Sequence, residues 1–283
     1  MSKKRKKISL IIYFSLIIIL FVASFFVPGA ETGESIQETM KDAVLHEQNK
    51  INLFGLAVNP GLISSYVVTI VLLVAAALIR IFAIPRFKYE PGKFQMVLEQ
   101  AVGLFDDMAK KNSPEHNRFL GPYIFGAAAY IFFGTLFELI GIEITCITGV
   151  PMSLPAPLSD INGAIMIGCL SYLVIMFGGI RANKAKGVLL TLKEFSLPIS
   201  MSFRLFGALL SGLLVTELVY YYSALSYVLP VVVGVLFTLI HAIVQTYVLT
   251  MLTALYYGEV SEVKEKKKKT KKNKKNVAEE VLA

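Results

Sequence analysis

The sequence has 283 residues and a mass of 31.2 kDa; 55% of the residues are hydrophobic, 17% are charged, and the mean hydropathy is +0.64. This composition is too apolar for an ordinary soluble domain and predicts an integral membrane protein. The net charge is +8, but half of the 28 basic residues lie in two terminal runs, 3–7 and 264–275. Outside these runs 14 basic residues face 19 acidic ones. The basic character therefore belongs to the tails, which indicate membrane topology or anionic-lipid contact, and nucleic acid is not an expected partner.

Six apolar stretches are long enough to cross a bilayer: 8–27, 61–84, 119–141, 161–180, 197–222 and 229–257. Each should be a helix, because lipid offers no hydrogen-bond partner to the backbone. The sequence thus predicts an all-α membrane protein with five core helices and an additional N-terminal helix. The first stretch could instead be a signal peptide, although its twenty uncharged, mostly apolar residues favour an uncleaved helix.

The connectors between these stretches differ sharply in basic charge. Alternate assignment puts 24 Lys and Arg on one side, in residues 1–7, 85–118, 181–196 and the tail, and two on the other. The positive-inside rule then predicts that both termini are cytoplasmic. The domains expected are an N-terminal anchor or signal segment (1–30), an extracellular segment (31–60), a membrane domain (61–258) and a Lys-rich cytoplasmic tail (259–283). The tail could bind anionic lipid or another subunit, but its composition favours disorder.

Residues 94–108, inside the 85–118 connector, form an amphipathic pattern. Apolar side chains at helical spacing oppose charged ones, which predicts a helix lying on the cytoplasmic surface. The apolar positions are Phe94, Val97, Leu98, Ala101, Leu104, Phe105 and Met108. The last two spanning stretches, at about 39 and 43 Å of helix, exceed a hydrocarbon core of about 30 Å. We therefore expect this final pair to be tilted.

Polar residues inside the membrane are concentrated in that final pair. Counted inward from the outer ends, Glu217 lies roughly 8 Å deep, His241 roughly 18 Å, Gln245 roughly 24 Å and Arg204 roughly 27 Å. An ionisable group in a membrane costs at least about 2.5–3.5 kcal/mol, so each requires a reason. Carboxylate and imidazole can relay protons, whereas a guanidinium stays charged and would act as a fixed barrier or counter-ion.

Structural roles for these residues are also open. His241 and Gln245 could merely bond across a helix bundle, and Glu217 could reach the headgroups. Arg80, near the end of its span, is expected to be a snorkelling anchor. Arg204 shares its helix face with small residues, Ser200, Gly207, Ala208 and Ser211, so the carboxylate that it addresses is expected on another chain.

Several segments resemble subunit a of the F-type ATP synthase, the stator half of its ion channel. Residues 196–212, SLPISMSFRLFGALLSG, are similar to the signature around the family's essential arginine, which matches Arg204. Residues 244–256 resemble its last helix, where Gln245 matches the glutamine that faces the arginine. Residues 157–162 and 91–99 resemble the start of the preceding helix and the amphipathic segment. The resemblance extends from about residue 50 to 258.

The sequence departs from the family pattern at three channel positions. Ala208 replaces an asparagine, Leu213 an acidic residue or histidine, and Thr238 a histidine or glutamate. Glu217 and His241 each lie about one turn further along their helices and are candidates to replace the usual pair.

The resemblance implies an ion-translocating stator in a bacterial plasma membrane. Its partners would be the c-ring, the peripheral stalk subunit b, the F1 sector indirectly, and membrane lipids. Arg204 would be the essential residue, with an ion pathway along Glu143, Asp160, Asn162, Ser200, Glu217, His241 and Gln245. Proton and sodium transport, and ATP synthesis and hydrolysis, all remain compatible with this family.

Other classes of function lack their usual signals. No phosphate-binding glycine loop or internal repeat is visible, which disfavours a nucleotide site and a secondary transporter. An intramembrane enzyme would need a metal or paired-aspartate site, and His241 has no second ligand nearby in sequence. We expect no cofactor and no metal, and we expect Cys146 and Cys169 to be buried packing residues.

Overall fold

The computed structural model describes the backbone of residues 3–24, 37, 41, 51–53, 55–145, 151–221 and 229–280, and the side chains of most of these residues between Ile8 and Ser261. Within these ranges the chain is almost entirely helical. The α-helices are α1 (Lys3–Ser24), α2 (Pro60–Leu78), α3 (Lys93–Asn112), α4 (Leu120–Leu136), α5 (Ile161–Asn183), α6 (Ala185–Lys193), α7 (Ser196–Tyr221) and α8 (Leu229–Glu280). Among the described residues, five spans are long and apolar enough to cross a membrane: Pro60–Arg86, Leu120–Ile140, Ile161–Asn183, Ser196–Thr216 and Val232–Ser261. The predicted all-α membrane fold with five core helices is confirmed.

The helix α2 is extended by distorted turns. Asn59 caps its N-terminus by accepting a hydrogen bond from the Gly61 backbone N–H at 3.1 Å, and Pro60 occupies the first turn. Beyond Leu78 the chain continues as a π-helical turn, Ile79–Ala83, and a 3₁₀ turn, Ile84–Arg86. Pro85 has no N–H to continue an α-helical ladder, which explains why the span ends here.

The core lies between α4, α5, α7 and α8. Each of these helices buries one stripe at i, i+3, i+4 and i+7 spacing, as Leu120, Ile124, Ala127 and Ile131 do on α4. Tyr257 is 1% exposed and fills the space beside Gly178 of α5. A Cβ atom on Gly178 would collide with that ring, so glycine lets α5 and α8 approach closely.

Two short hairpins cover one end of the bundle. Strand β1 (Ile51–Leu53) pairs antiparallel with β2 (Leu56–Val58), and β3 (Glu143–Thr145) pairs with β4 (Pro151–Ser153). A second core cluster of Ile51, Val68, Phe137 and Leu154 joins them to α2 and the end of α4. Sequence patterning did not predict these hairpins, because strands of three residues are too short for a period-two signal.

The predicted amphipathic helix is α3, and its apolar face is divided. Phe105 packs edge-on against Phe125 of α4, with ring centroids 5.9 Å apart, and Ala109 is fully buried. Phe94 and Val97, by contrast, are 59% and 63% exposed. Lys110 pairs with Asp106 one turn earlier, and this hydrogen bond raises the pKa of Lys110. One end of α3 is thus attached to the bundle while the other presents apolar side chains outward.

The structure also describes the N-terminal apolar stretch, the Lys-rich tail as far as Glu280 and one of the two cysteines. The first apolar stretch is helical, and every described side chain of α1 is exposed. The Lys-rich tail, for which the sequence favoured disorder, is described as a continuation of α8 to Glu280. Cys169 is exposed rather than buried, since it lies on the outward face of α5 with Met166 and Leu173, while Cys146 is outside the described residues.

Candidate functional site

The helix α7 has a buried face that fixes its rotation. Leu197, Met201, Leu205 and Leu209, spaced four residues apart, are at most 6% exposed and belong to the main core. Ser202 is also buried; its hydroxyl donates to the Pro198 carbonyl at 2.6 Å and lies against Gly168 of α5. With this face held by the core, the remaining face must point away from the rest of the chain.

Arg204 lies on that outward face. It is exposed, as are Ser200, Gly207 and Ser211, and its flanking side chains Ile199 and Phe203 are 52% and 61% exposed. Arg204 is the ninth residue of the span Ser196–Thr216, about 12 Å along the helix from Ser196. Within the described part of the chain it forms no hydrogen bond or ion pair. A fixed cation therefore stands deep in a spanning segment, on a surface of small and apolar residues.

His241 lies where α8 crosses α7. Its imidazole is partly buried, stacks edge-on with Phe237 at a centroid distance of 5.8 Å, and faces Gly212. A Cβ atom on Gly212 would lie 3.4 Å from Nδ1 of His241, which is van der Waals contact. The seven-residue connector 222–228 makes α7 and α8 antiparallel, so four residues onward on α8 correspond to four residues back on α7. This register places Gln245 opposite Ala208, one helical turn from Arg204.

Gln245 is 7% exposed, and its Oε1 atom has no hydrogen-bond partner among the described residues. The same holds for the hydroxyl of Thr246, which is 8% exposed. An unsatisfied buried polar atom costs about 1–3 kcal/mol. In the register above, Ala208 offers no polar atom to Gln245.

Asp160 and Asn162 lie at the start of α5. Asp160 is the N-cap; its Oδ1 accepts from the Asn162 backbone N–H at 2.9 Å and from Asn162 Nδ2 at 3.1 Å. Gly61 of α2 packs directly on Asp160, where an added Cβ would lie 2.8 Å from the aspartate Cβ. Asp160 is therefore partly covered and Asn162 is exposed, so their backbone geometry has a structural explanation of its own.

The other predicted residues are not joined to this group. Glu143 is exposed on β3 and pairs in register with Ser153. Glu217 lies on α7, but its side chain is outside the described residues. Sequence reasoning overlooked Glu138, which is partly buried just after α4. Its position as an acidic residue inside the predicted span 119–141 was the signal that could have identified it as a candidate.

Fold and site together define a multi-pass helical membrane protein with a polar face on its last two spanning helices and an outward-facing cation. Residues 63–258 match the family model described as ATP synthase A chain, and the chain belongs to that family. It is thus a membrane subunit of the F0 sector of an ATP synthase, a complex that transports ions, and the resemblance noted in the sequence is confirmed.

Individual relatives are only modestly similar. The ATP synthase subunit a of Sulfurihydrogenibium sp. is 26% identical over 203 residues, covering 66% of this chain and 90% of the relative. That of Cereibacter sphaeroides is 24% identical over 198 residues, covering 66% of this chain and 75% of the relative.

Proposed function

We propose that this subunit forms two offset half-channels that load and unload a carboxylate on the ring of c subunits. Flow of protons or sodium ions is thereby coupled to rotation and to ATP synthesis or hydrolysis. The chain has no ATP chemistry of its own, and the nucleotide reactions take place on the F1 sector, which it contacts only indirectly. It lies in a bacterial plasma membrane with its C-terminus in the cytoplasm, and the peripheral stalk subunit b holds it against the turning ring.

The observation that carries this proposal is the placement of Arg204. The core fixes α7 so that the guanidinium points outward, and no acidic group of the described chain accompanies it. A charge in that position would be unfavourable against lipid alone. A carboxylate on a neighbouring subunit would satisfy it, and charge pairing would lower that carboxylate's affinity for an ion. The small residues Ser200, Gly207 and Ser211 leave room for a second helix to approach.

The outer half-channel is proposed to run past Glu143, Asp160, Asn162, Glu217 and His241. Its support is the contact of His241 with Gly212, which brings a titratable side chain to the α7–α8 junction inside the membrane. Gln245, one turn deeper, has a buried oxygen able to accept a hydrogen bond from Arg204 or from water. Ser200, one turn from Arg204 toward the N-terminal end of α7, belongs to the opposite half-channel.

Because the cation separates the half-channels, an ion crosses only when the ring carries it past Arg204. Each charge that crosses yields about 2.3 kcal/mol per 100 mV of membrane potential. Direct passage between the half-channels would dissipate this free energy as a leak.

The test is to replace Arg204 by Ala in the assembled complex and to measure ATP-driven acidification and passive proton leak in vesicles. We expect coupled pumping to vanish while the complex still assembles, with a rise in leak. Arg204→Lys keeps a charge without the planar fork and is expected to retain little pumping. Arg80→Ala is the matched control, because Arg80 is also exposed but lies near the end of the span Pro60–Arg86. Normal pumping by Arg204→Ala would make this arginine a structural anchor and overturn the proposal.

A further inference from the structure

A cavity of about 730 Å³ lies between the end of the first core span and the start of α3. Its walls come from one short stretch of chain, residues 82–95, that turns from the membrane span into the amphipathic helix. The lining residues are Phe82, Ala83, Arg86, Phe87, Lys88, Glu90, Gly92, Lys93, Phe94 and Gln95. The cavity is remote in sequence from Arg204 and is not used by the proposed ion pathway.

The polar part of this cavity is positively charged. Arg86, Lys88 and Lys93 face a single carboxylate, Glu90, and none of the three cations forms an ion pair with a described residue. The N-terminus of α3 opens into the same space: Gly92 is its N-cap and supplies no side-chain acceptor for the free backbone N–H groups of the first turn. Positive charge and unpaired donors thus converge on one volume, as binding of an anion requires.

The shape of the cavity is held by one side chain. Gln95 Oε1 accepts from the Lys88 backbone N–H at 3.0 Å, and Gln95 Nε2 donates to the Lys88 carbonyl at 2.9 Å. Gln95 Nε2 also donates to Glu99 at 2.7 Å. These bonds fasten the loop to the first turn of α3, so Lys88 and Lys93 are held near each other before any ligand arrives.

The apolar part of the cavity indicates where it lies relative to the bilayer. The hydrophobic span ends at Arg86, and Phe82 and Phe87 flank that point. On the other side, Phe94 and Val97 of α3 are exposed, as expected of a helix that inserts its apolar face at the membrane surface. The cations therefore stand at headgroup level, with aromatic rings on the hydrocarbon side.

We propose that this cavity binds the phosphate headgroup of an anionic phospholipid. Arg86, Lys88 and Lys93 would contact the phosphate, the first turn of α3 would donate backbone hydrogen bonds, and the acyl chains would lie along Phe82 and Phe87. A lipid is favoured over a soluble anion because only a lipid uses both the basic and the aromatic wall. The loop would thereby anchor the junction between α2 and α3 to its own leaflet.

The full chain contains no tryptophan, so Phe87→Trp introduces a single tryptophan, whose emission can be excited selectively, in the cavity wall. Reconstituted in nanodiscs, this protein is titrated with phosphatidylglycerol or phosphatidylcholine carrying brominated acyl chains, which quench a nearby tryptophan. We expect phosphatidylglycerol to compete at least about fivefold better for the quenching site. Removing two cations, with Arg86→Gln and Lys93→Gln together, should abolish this preference.

Two further variants make the test specific. Glu90→Gln removes only the opposing carboxylate and should increase the preference, in a single exposed substitution that poses little risk to folding. The control pair Lys111→Gln and Lys193→Gln removes the same charge from exposed positions elsewhere and should leave the preference unchanged. Equal quenching by the two lipids in the Phe87→Trp protein without further substitutions, or equal loss of preference in the control pair, would overturn the proposal. Displacement of phosphatidylglycerol by millimolar inorganic phosphate would instead identify a site for soluble anions and also overturn it.

Discussion

Polar atoms buried at the α7–α8 junction carry a cost that packing alone does not repay. Gln245 and Thr246 each bury an oxygen without a partner among the described residues. If their role were only structural, an apolar residue of similar size would fit the site equally well or better. Substitutions of these two residues can therefore separate an effect on stability from an effect on function.

Replacing Gln245 by Leu should leave the thermal stability of the detergent-solubilised chain unchanged or slightly higher, because it removes an unsatisfied buried acceptor. Coupled proton pumping by the assembled complex should fall at least about tenfold if the amide assists Arg204. The measurements are a melting curve and ATP-driven acidification in vesicles. Full pumping by this variant would restrict Gln245 to packing.

Asp160 combines a capping role with a proposed position in the outer half-channel. Asp160→Asn preserves the cap, since asparagine caps helices as well as aspartate, and should leave the melting temperature unchanged. Asp160→Ala should cost about 1 kcal/mol of stability through loss of the cap. If the carboxylate conducts ions, both variants should slow pumping. An Asp160→Asn complex that pumps at the parent rate would indicate that Asp160 serves only as a cap.

Glycine residues allow neighbouring helices in this protein to approach each other closely. A Cβ atom on Gly168 would clash with the Ser202 hydroxyl and would lie 2.9 Å from the Pro198 carbonyl oxygen. Those contacts set the distance between α5 and α7, and they hold the buried face of α7, which lies opposite Arg204, against the core. The rotation of α7 about its own axis is therefore determined by the buried residues on the face opposite Arg204.

Gly168→Ala should destabilise the chain by about 1–3 kcal/mol, because the helix backbones cannot yield without loss of packing. The control variant is Gly126→Ala on α4, where an added Cβ atom would have no neighbouring atom within 4 Å. Melting temperatures of the two purified variants provide the comparison. Equal stability of Gly168→Ala and Gly126→Ala would show that α5 and α7 can separate without cost.

For the molecule as a whole, the asymmetry of basic residues predicts a single orientation in the membrane. The connector 142–160 contains no Lys or Arg and is expected outside, whereas the C-terminus is expected inside. The two native cysteines lie at different depths and can be used for labelling. Cys146 lies in this connector, and Cys169 lies inside the span Ile161–Asn183.

In a Cys169→Ser background, a membrane-impermeant maleimide should label Cys146 in intact cells. A cysteine introduced at Ala283, in a chain also lacking Cys146, should react only after the membrane is permeabilised. Labelling in the reverse pattern would invert the topology and place the outer half-channel on the wrong side.

The type and order of the five core spanning helices follow from the sequence itself, because a bilayer forces long apolar segments into helices whatever their neighbours are. The amphipathic helix α3 also follows from the sequence. So does the presence of Arg204 inside an apolar span, since a charged residue in such a span is visible in the sequence. Family motifs added the expectation that Gln245 lies near it.

Only the tertiary structure decided which way these residues face. Periodicity gives the angle between two residues around one helix, but it does not give the rotation of that helix relative to its neighbours. That rotation depends on close contacts such as Gly168 with Ser202 and Gly212 with His241, between residues far apart in sequence. The basic cavity between the end of the span Pro60–Arg86 and the start of α3 likewise required three-dimensional folding. Gln95 fixes its shape through hydrogen bonds to a loop residue seven positions earlier, a pairing that no sequence period specifies.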